Sequence, residues 1–306
     1  MEHEVSLNSA AGVLKHLDQN KYDVTDIFVS KTGTWSFDDH KDINDTDAIE
    51  ILKQTCDVVF LAVHGTYGED GQLQAKLEQA GITYTGSDPK ASALAMNKQD
   101  AQKVFAEHDL RVPATQVLSN ASDSVELELP VVVKPVSQGS SVGVSIVKQA
   151  SQLDTAIKEA FSHDDHVMVQ EFISGREVSC GVLENPDSDA LQALLPTELI
   201  IKNAEFFDYK SKYTAGETDE VTPPDMPEEL IQAIQTIAKK AHKILGCRGY
   251  SRTDMIIRGN SLQEIFVIET NTLPGMTPTS LLPQQAAAVG ISFSELLDRI
   301  IENTQK

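Results

Sequence analysis

The stretch from Tyr250 to Leu281, YSRTDMIIRGNSLQEIFVIETNTLPGMTPTSL, constrains this chain most, because two apolar runs separated by a turn leave few ways to pair. Thr253, Met255 and Ile257 alternate before the turn-prone Gly259-Asn260, and Phe266, Val267 and Ile268 follow it, the pattern of an antiparallel hairpin. Side chains two apart on a strand share a face. Arg252 and Asp254 therefore point one way on the first strand, and Glu269 and Asn271 point one way at the end of the second. If the two faces coincide, three oxygen ligands converge beside a guanidinium. Oxygen donors without His or Cys suit Mg²⁺, which is held by one or two carboxylates and completed by phosphate oxygens and water. The alternative is a solvated hairpin face with ordinary charges. Against it stand the depletion of Asp and Asn in strands and the turn-forming Leu273-Pro274-Gly275 at the strand end.

A chain of 306 residues is too long for one ordinary core and is expected to form two or three subdomains. Its 41% hydrophobic and 23% charged content is that of a soluble globular protein, and no apolar run reaches the length of a membrane span. The opening MEHEVSLNS has neither a basic nor an apolar region, so the expectation is a cytoplasmic protein with no membrane partner. Cys56, Cys180 and Cys247 are scattered without metal-type spacing and read as reduced core residues. The net charge of −21 repels a nucleic-acid backbone, and no basic stripe offsets it. Isolated basic residues inside motifs suit a small anionic ligand better than a polymer.

From the start, the first 86 residues alternate helix and strand. Ser6 is placed to cap a helix through Val13, Leu14 and Leu17. Strands are expected at Val24 to Val29 and at Asp57 to Val63, the second an apolar run of the kind buried on both faces of a parallel sheet. It ends at HGTYGEDG, where open α/β sheets bind ligands, so His64 is either a rim residue of a site or a cap on the strand. A helix from Gln72 to Gln79 and a strand from Ile82 to Thr85 lead to a boundary at Gly86-Ser87-Asp88-Pro89. One helix is expected over residues 90–108, with Lys98 reading locally as solvated surface.

The middle of the chain changes character at Val131-Val132-Val133-Lys134. A lysine after three valines is costly to bury unless an anion meets it. The following SQGSSVGV is rich in hydroxyls and backbone N–H groups and can fold over phosphates, although it has neither a P-loop ending nor a Rossmann glycine pattern. A helix from Leu153 to Phe161 precedes the apolar run from Val167 to Ile173. That stretch reads by itself as an edge strand and turn, with Glu171, Ile173 and Glu177 able to seat an adenine and catch ribose hydroxyls as the other reading. Residues 208–224, DYKSKYTAGETDEVTPP, lack either period and are long enough for a functional lid. A helix from Glu228 to Leu245 ends on Gly246 as its C-cap.

Together, the strand lysine, the Ser/Gly loop, the following acids and the late Arg-x-Asp and Glu-x-Asn pairs resemble the ATP-grasp fold. More closely, EHEVSLNS, HGTYGEDG, KPVSQGSSVGVS, DYKSKY, RTD and ETNTLPGMTPTSL resemble the D-alanine:D-alanine ligase family over nearly the whole chain. The resemblance implies an α/β protein. A first open parallel α/β domain (residues 1–86) would be followed by central (87–175) and C-terminal (176–306) ATP-grasp subdomains that sandwich the nucleotide. It implies a homodimer using ATP, two Mg²⁺ or Mn²⁺ ions and D-alanine, in peptidoglycan precursor synthesis, with another acceptor such as D-lactate or D-serine as the alternative.

The resemblance also carries residue roles onto matching positions. Lys98, Lys134 and Lys212 would bind nucleotide phosphates, with Ser140 and its loop closing over them. Glu171 and Ile173 would line the adenine site, and Glu177 would hold the ribose. Asp254, Glu269 and Asn271 would hold the metal ions. Glu2 would take the ammonium of the first D-alanine with His64 nearby, while Ser280 and Leu281 would take the carboxylate of the second. Arg252 and the Gly275 N–H would face the oxyanion, and Tyr213 would join Ser140 and Glu2 in tuning the acceptor pocket. In the family EHEVSLNS follows a first strand and turn. The chain is therefore expected to lack that strand, with a natural start about 10 to 15 residues upstream.

Overall fold

The computed structural model describes residues 2–139, 142–188, 190–202, 218–259 and 261–305. The expectations placed on Ser140, Lys212 and Tyr213, and on Asn260 of the hairpin turn, lie outside the described residues.

The chain opens with α1 (His3–His16). Three short antiparallel strands follow, β1 (Phe28–Val29), β2 (Trp35–Phe37) and β3 (His40–Ile43), and then α2 (Asp45–Thr55) and α3 (Gln72–Ala80). Ser6 does not cap α1. The helix starts after Glu2, and Ser6 Oγ donates to the Glu2 carbonyl while accepting from the His64 N–H. A hydroxyl inside a helix can turn back onto the preceding carbonyl, so a serine near an apolar run does not by itself mark a start. The strand expected from Asp57 to Val63 does not form, and the run pairs through a single parallel bridge, Val59 to Tyr84. Beyond it the Leu61 N–H donates to the Thr85 hydroxyl at 3.0 Å, and the side chain ends the backbone ladder.

The helix expected over residues 90–108 is two helices, α4 (Pro89–Met96) and α5 (Lys98–Glu107). Asn97 leaves helical conformation between them, and its side chain accepts from the Asp100 N–H as the cap of α5. Lys98 thereby becomes the first residue of a helix and is only 8% exposed.

Next come β4 (Thr115–Leu118), β5 (Val131–Pro135), β6 (Ser145–Val147), α6 (Ala150–Phe161) and β7 (Val167–Glu171). Their antiparallel sheet has the order β4-β7-β5-β6, so Val167–Glu171 is an interior strand and not the edge expected of it. Val167, Met168 and Val169 are all fully buried, which an edge position would not allow. Val131 and Val133 pack under Ile157 and Ala160 of α6, so the alternation of β5 sends Val132 and Lys134 to the opposite face.

The larger antiparallel sheet contains β8 (Arg176–Glu184), β9 (Leu191–Ala193), β10 (Thr197–Ile201), β11 (Thr218–Val221), β12 (Tyr250–Ile257) and β13 (Ile265–Asn271). Its order is β11-β10-β8-β12-β13, with β9 beside β8. Between β11 and β12 runs α7 (Glu228–Leu245), capped by Gly246 in the left-handed conformation as expected. Ile234, Ala238 and Leu245 of α7 cover Val178, Val182, Met255 and Ile257. That burial commits one face of β12 to the core and leaves Arg252 and Asp254 on the other. The chain closes with α8 (Leu281–Ala288) and α9 (Phe293–Glu302), whose Leu282, Leu297 and Ile300 share a core with Val13, Leu52 and Leu77 of the first helices.

Helix α1 reaches the C-terminal part of the chain through small residues. A Cβ on Gly12 would overlap the Met276 carbonyl oxygen and stand 3.3 Å from the Thr277 Cα. Alanine is ordinarily better than glycine in a helix by up to about 1 kcal/mol. Here Gly12→Ala is expected to lower stability by about 1 to 3 kcal/mol through overpacking against backbone. Thermal denaturation checks the sign, and a higher midpoint would show that the 276–277 backbone yields.

Candidate active site

The hairpin of β12 and β13 sets Arg252 opposite Asn271 and Asp254 opposite Glu269. A bulge makes this possible. Met255 pairs with Val267, so Ile268 is an extra residue on β13, and Glu269 moves onto the face that carries Asp254. Asp254 accepts from Arg252 Nε at 2.9 Å and Arg252 Nη2 at 2.8 Å, from Asn271 Nδ2 at 3.0 Å and from Ser179 Oγ at 2.6 Å. Burial disfavours the Arg252 charge, but Asp254, and then Glu269 and Glu69, hold its pKa above the ordinary guanidinium value.

Two lysines face this hairpin from other elements. Lys98 lies 3.6 Å from Glu269 and donates to the Gln138 carbonyl at 2.5 Å. Lys134, 5% exposed, donates to Gln170 at 2.9 Å and makes no ion pair among the described residues. Its pKa falls to about 8, chiefly through burial and then through the Lys98 charge, with Glu269 opposing. Buried ammonium groups so placed call for an anion.

The residues line two adjoining cavities that share Lys98, Gly139 and Glu269. The smaller, about 140 Å³, lies between the two large sheets and is walled by Lys134, Glu171, Ile173, Glu177 and Asp254. The Glu171 carboxylate is already paired with Arg258 at 2.5 Å. The larger, about 780 Å³, takes in Glu2, His64, Arg252, Asn271, Gly275, Ser280 and Leu281. All the described residues singled out from the sequence thus border one continuous cleft.

The larger cavity has closely fitted walls. A Cβ on Gly65 would overlap the Glu2 carboxylate, and one on Gly139 would come within 2.9 Å of it. A Cβ on Gly275 would sit 2.8 Å from Ser280 Oγ, so the missing side chain lets the turn pack closely on that hydroxyl. Ser280 precedes α8 as its N-cap residue, and its Oγ accepts from the Thr277 N–H at 3.0 Å. His64 is half-buried, with Nδ1 3.0 Å from the Leu273 carbonyl and Nε2 2.7 Å from Ser9 Oγ. Burial lowers its pKa to about 4.

Sequence reasoning passed over Glu69, Ser179 and Ser9. Glu69 lines the larger cavity and accepts from the Gly65 N–H at 2.6 Å. Burial and then the Glu2 charge push its pKa to about 8. Its signal was present in HGTYGEDG, where an acid sits between glycines that bend the chain back on itself. Ser179 is fully buried, and only the pairing of β8 with β12 brings it to Asp254.

The donor set fits a divalent cation. Asp254, Glu269 and the Asn271 carbonyl are oxygen donors on adjoining strands, the set that Mg²⁺ completes with phosphate oxygens and water. Among the described residues no group of three or more His, Cys, Asp or Glu gathers to hold a metal, and the set here is two carboxylates with an amide.

Two family models match the chain. The one described as D-ala D-ala ligase N-terminus covers residues 1–54 and 39–87, and the one described as D-ala D-ala ligase C-terminus covers residues 99–302. The D-alanine–D-alanine ligase of Geotalea uraniireducens is 42% identical over 305 residues, 98% of this chain and 91% of that protein. That of Leptospira interrogans is 38% identical over 335 residues, 98% and 94% of the two chains. Among solved structures, a D-Ala:D-Ser ligase from Enterococcus faecalis superposes with a TM-score of 0.85 at 33% identity, covering 99% of this chain and 96% of its own. A D-alanine–D-alanine ligase from Bacillus anthracis complexed with ATP gives 0.79 at 32% identity, covering 99% and 92%.

The pKa directions set a stability test. Glu69 is raised from 4.5 to about 8, so folding holds its proton and stability falls as pH climbs between those values. His64 is lowered from 6.5 to about 4, so it adds stability with rising pH up to 6.5 and offsets Glu69 there. Between pH 6.5 and 8 Glu69 acts without that offset. Glu69→Gln is expected to flatten the fall in thermal midpoint across this window, and an unchanged slope would show that Glu69 is already ionised.

Proposed function

The chain belongs to the D-alanine–D-alanine ligase family, with the ATP-grasp fold, and from that premise we propose that it joins two D-alanines at the expense of ATP in the cleft described above. The carrying observation is the meeting of two lysines, two carboxylates and a guanidinium where the smaller cavity opens into the larger. The smaller cavity, about 140 Å³, suits the base end of a nucleotide, with Glu171, Ile173 and Glu177 around it, and Lys134 and Lys98 would meet the phosphates where it opens into the larger cavity. Ser140 and Lys212 are assigned to the same phosphates, and Tyr213 to the acceptor pocket, on the resemblance alone.

A carboxylate is a poor electrophile, so the γ-phosphoryl group passes first to the carboxylate of one D-alanine, giving an acyl phosphate and ADP. Lys98 and Lys134 neutralise the transferring charge, and little covalent work falls to the protein. Mg²⁺ or Mn²⁺, when bound by Asp254, Glu269 and Asn271, supplies further charge neutralisation at the phosphates. Glu2 holds the ammonium of the first D-alanine, and Ser280 with the start of α8 holds the carboxylate of the second. The free amine of the second D-alanine attacks the acyl carbon and gives up a proton. The tetrahedral oxyanion forms between Arg252 and the Gly275 N–H, donors of a kind worth about 2.7 to 4 kcal/mol each, and collapses with loss of phosphate. The product is D-alanyl-D-alanine, a peptidoglycan precursor unit. A homodimer in the cytoplasm is the assembly and location we assign on the same family grounds.

The test is phosphate release from ATP with D-alanine, with L-alanine and with no amino acid, the products identified by mass. D-alanine-dependent release with dipeptide as the product is expected. D-serine and D-lactate as second substrates define the acceptor, and a main product containing either one would replace the reading. Asp254→Asn and Glu269→Gln are each expected to cut turnover by at least about a hundredfold. Glu269→Gln should leave the nucleotide-free thermal midpoint nearly in place, whereas Asp254→Asn should also lower it, because the buried Arg252 loses its carboxylate partner. Wild-type turnover in either variant would remove that residue from the metal site.

A further inference from the structure

One wall of the larger cavity is held by a hydrogen-bond chain that the proposed chemistry does not use. A carbonyl only accepts, so His64 Nδ1, 3.0 Å from the Leu273 oxygen, carries the ring proton. The lone pair of Nε2 then accepts from the Ser9 hydroxyl at 2.7 Å, and Ser9 Oγ accepts from the Met276 N–H at 3.1 Å. The chain runs from Met276 through Ser9 and His64 to Leu273, and so ties both ends of the turn holding Pro274 and Gly275.

Both partners are well fixed. Ser9 is fully buried on α1, one turn before Gly12, where the helix touches Met276. The His64 N–H is held in turn by Ser6 Oγ at 2.9 Å, one turn before Ser9 on the same helix. With both ring nitrogens engaged inside the protein, His64 has no nitrogen left for a ligand in this arrangement. A neutral imidazole is the only form that donates at one nitrogen and accepts at the other.

We propose that Ser9 and His64 are a pair of positioning residues that hold the 273–276 turn so that the Gly275 N–H meets the oxyanion of the peptide-forming step. The proposal rests on the ligase reading above. The pair touches neither Lys134 nor the walls of the smaller cavity, so its effect belongs to amide formation and not to nucleotide binding.

The experiment compares Ser9→Ala, His64→Phe and the double variant with the wild type by steady-state kinetics of dipeptide formation. Each single variant is expected to lose about 10- to 100-fold in kcat, the scale of a displaced reacting geometry. The KM for ATP should stay within about twofold, since the uniform binding of the nucleotide is untouched. The double variant should be no slower than the slower single, because two members of one chain fail together. Ser9→Cys, close in volume and able to donate and accept weakly, should fall between the wild type and Ser9→Ala. It carries the test if the alanine variant unfolds at the assay temperature. Unchanged kcat in the single variants, losses that multiply in the double, or a parallel rise in the KM for ATP would overturn the proposal. A wild-type protein without D-alanine-dependent phosphate release would instead overturn the ligase reading.

Discussion

The bulge at Ile268 is the constraint on which the cleft depends. Directly opposed residues of an antiparallel pair share a face, and a slip of one residue moves a side chain to the other face. With regular pairing from Ile257 and Ile265 onward, Asp254 would oppose Ile268, and Glu269 would join Thr253 on the side covered by α7. One extra residue in β13 sends Glu269 and Asn271 across to Arg252 and Asp254 and still leaves Val267 and Ile265 in the core. The apolar pairing of Met255 with Val267 on one side of the bulge, and the hydrogen-bonded pair of Thr253 and Thr270 on the other, therefore hold a polar cluster in register.

That cluster is kept by compensation of charge. Arg252, Lys98 and Lys134 are cations with little access to water, and Asp254 and Glu269 are the carboxylates nearest to them. Asp254 is saturated by four donors, whereas Lys134 has only a neutral amide partner among the described residues. Removing charge from water without a partner costs several kcal/mol, so Lys134 is the group in this cluster whose burial is least compensated among the described residues. The smaller sheet contributes the cation without a carboxylate partner among the described residues and the larger sheet contributes the carboxylates, so the gap between them is lined by charges of both signs.

The first helix serves two ends of the same cleft. Its start presents Glu2 against Gly65 and Gly139, and its middle locks the 273–276 turn through Ser9, His64 and Gly12. A helix is stiff along its axis, so the distance between the Glu2 carboxylate and the 273–276 turn is set by α1 as much as by the loop itself.

The local pattern of the chain determined a good deal. Two-residue alternation around Gly259 specified the hairpin, an apolar period of 3.6 with Gly246 at its end specified α7, and the lysine after three valines marked a cation that the sheet buries. These readings rest on interactions between near neighbours, which composition and spacing record directly. Three features needed the tertiary structure. Lys98 read as surface until Asn97 split its helix and aimed it at Glu269; Val167–Glu171 read as an edge until β4 and β5 flanked it; and Ser9 carried no signal beyond being small. In each case the deciding partner lies far along the chain, and a one-dimensional pattern holds no record of which distant backbone will arrive or of the side-chain geometry that meets it.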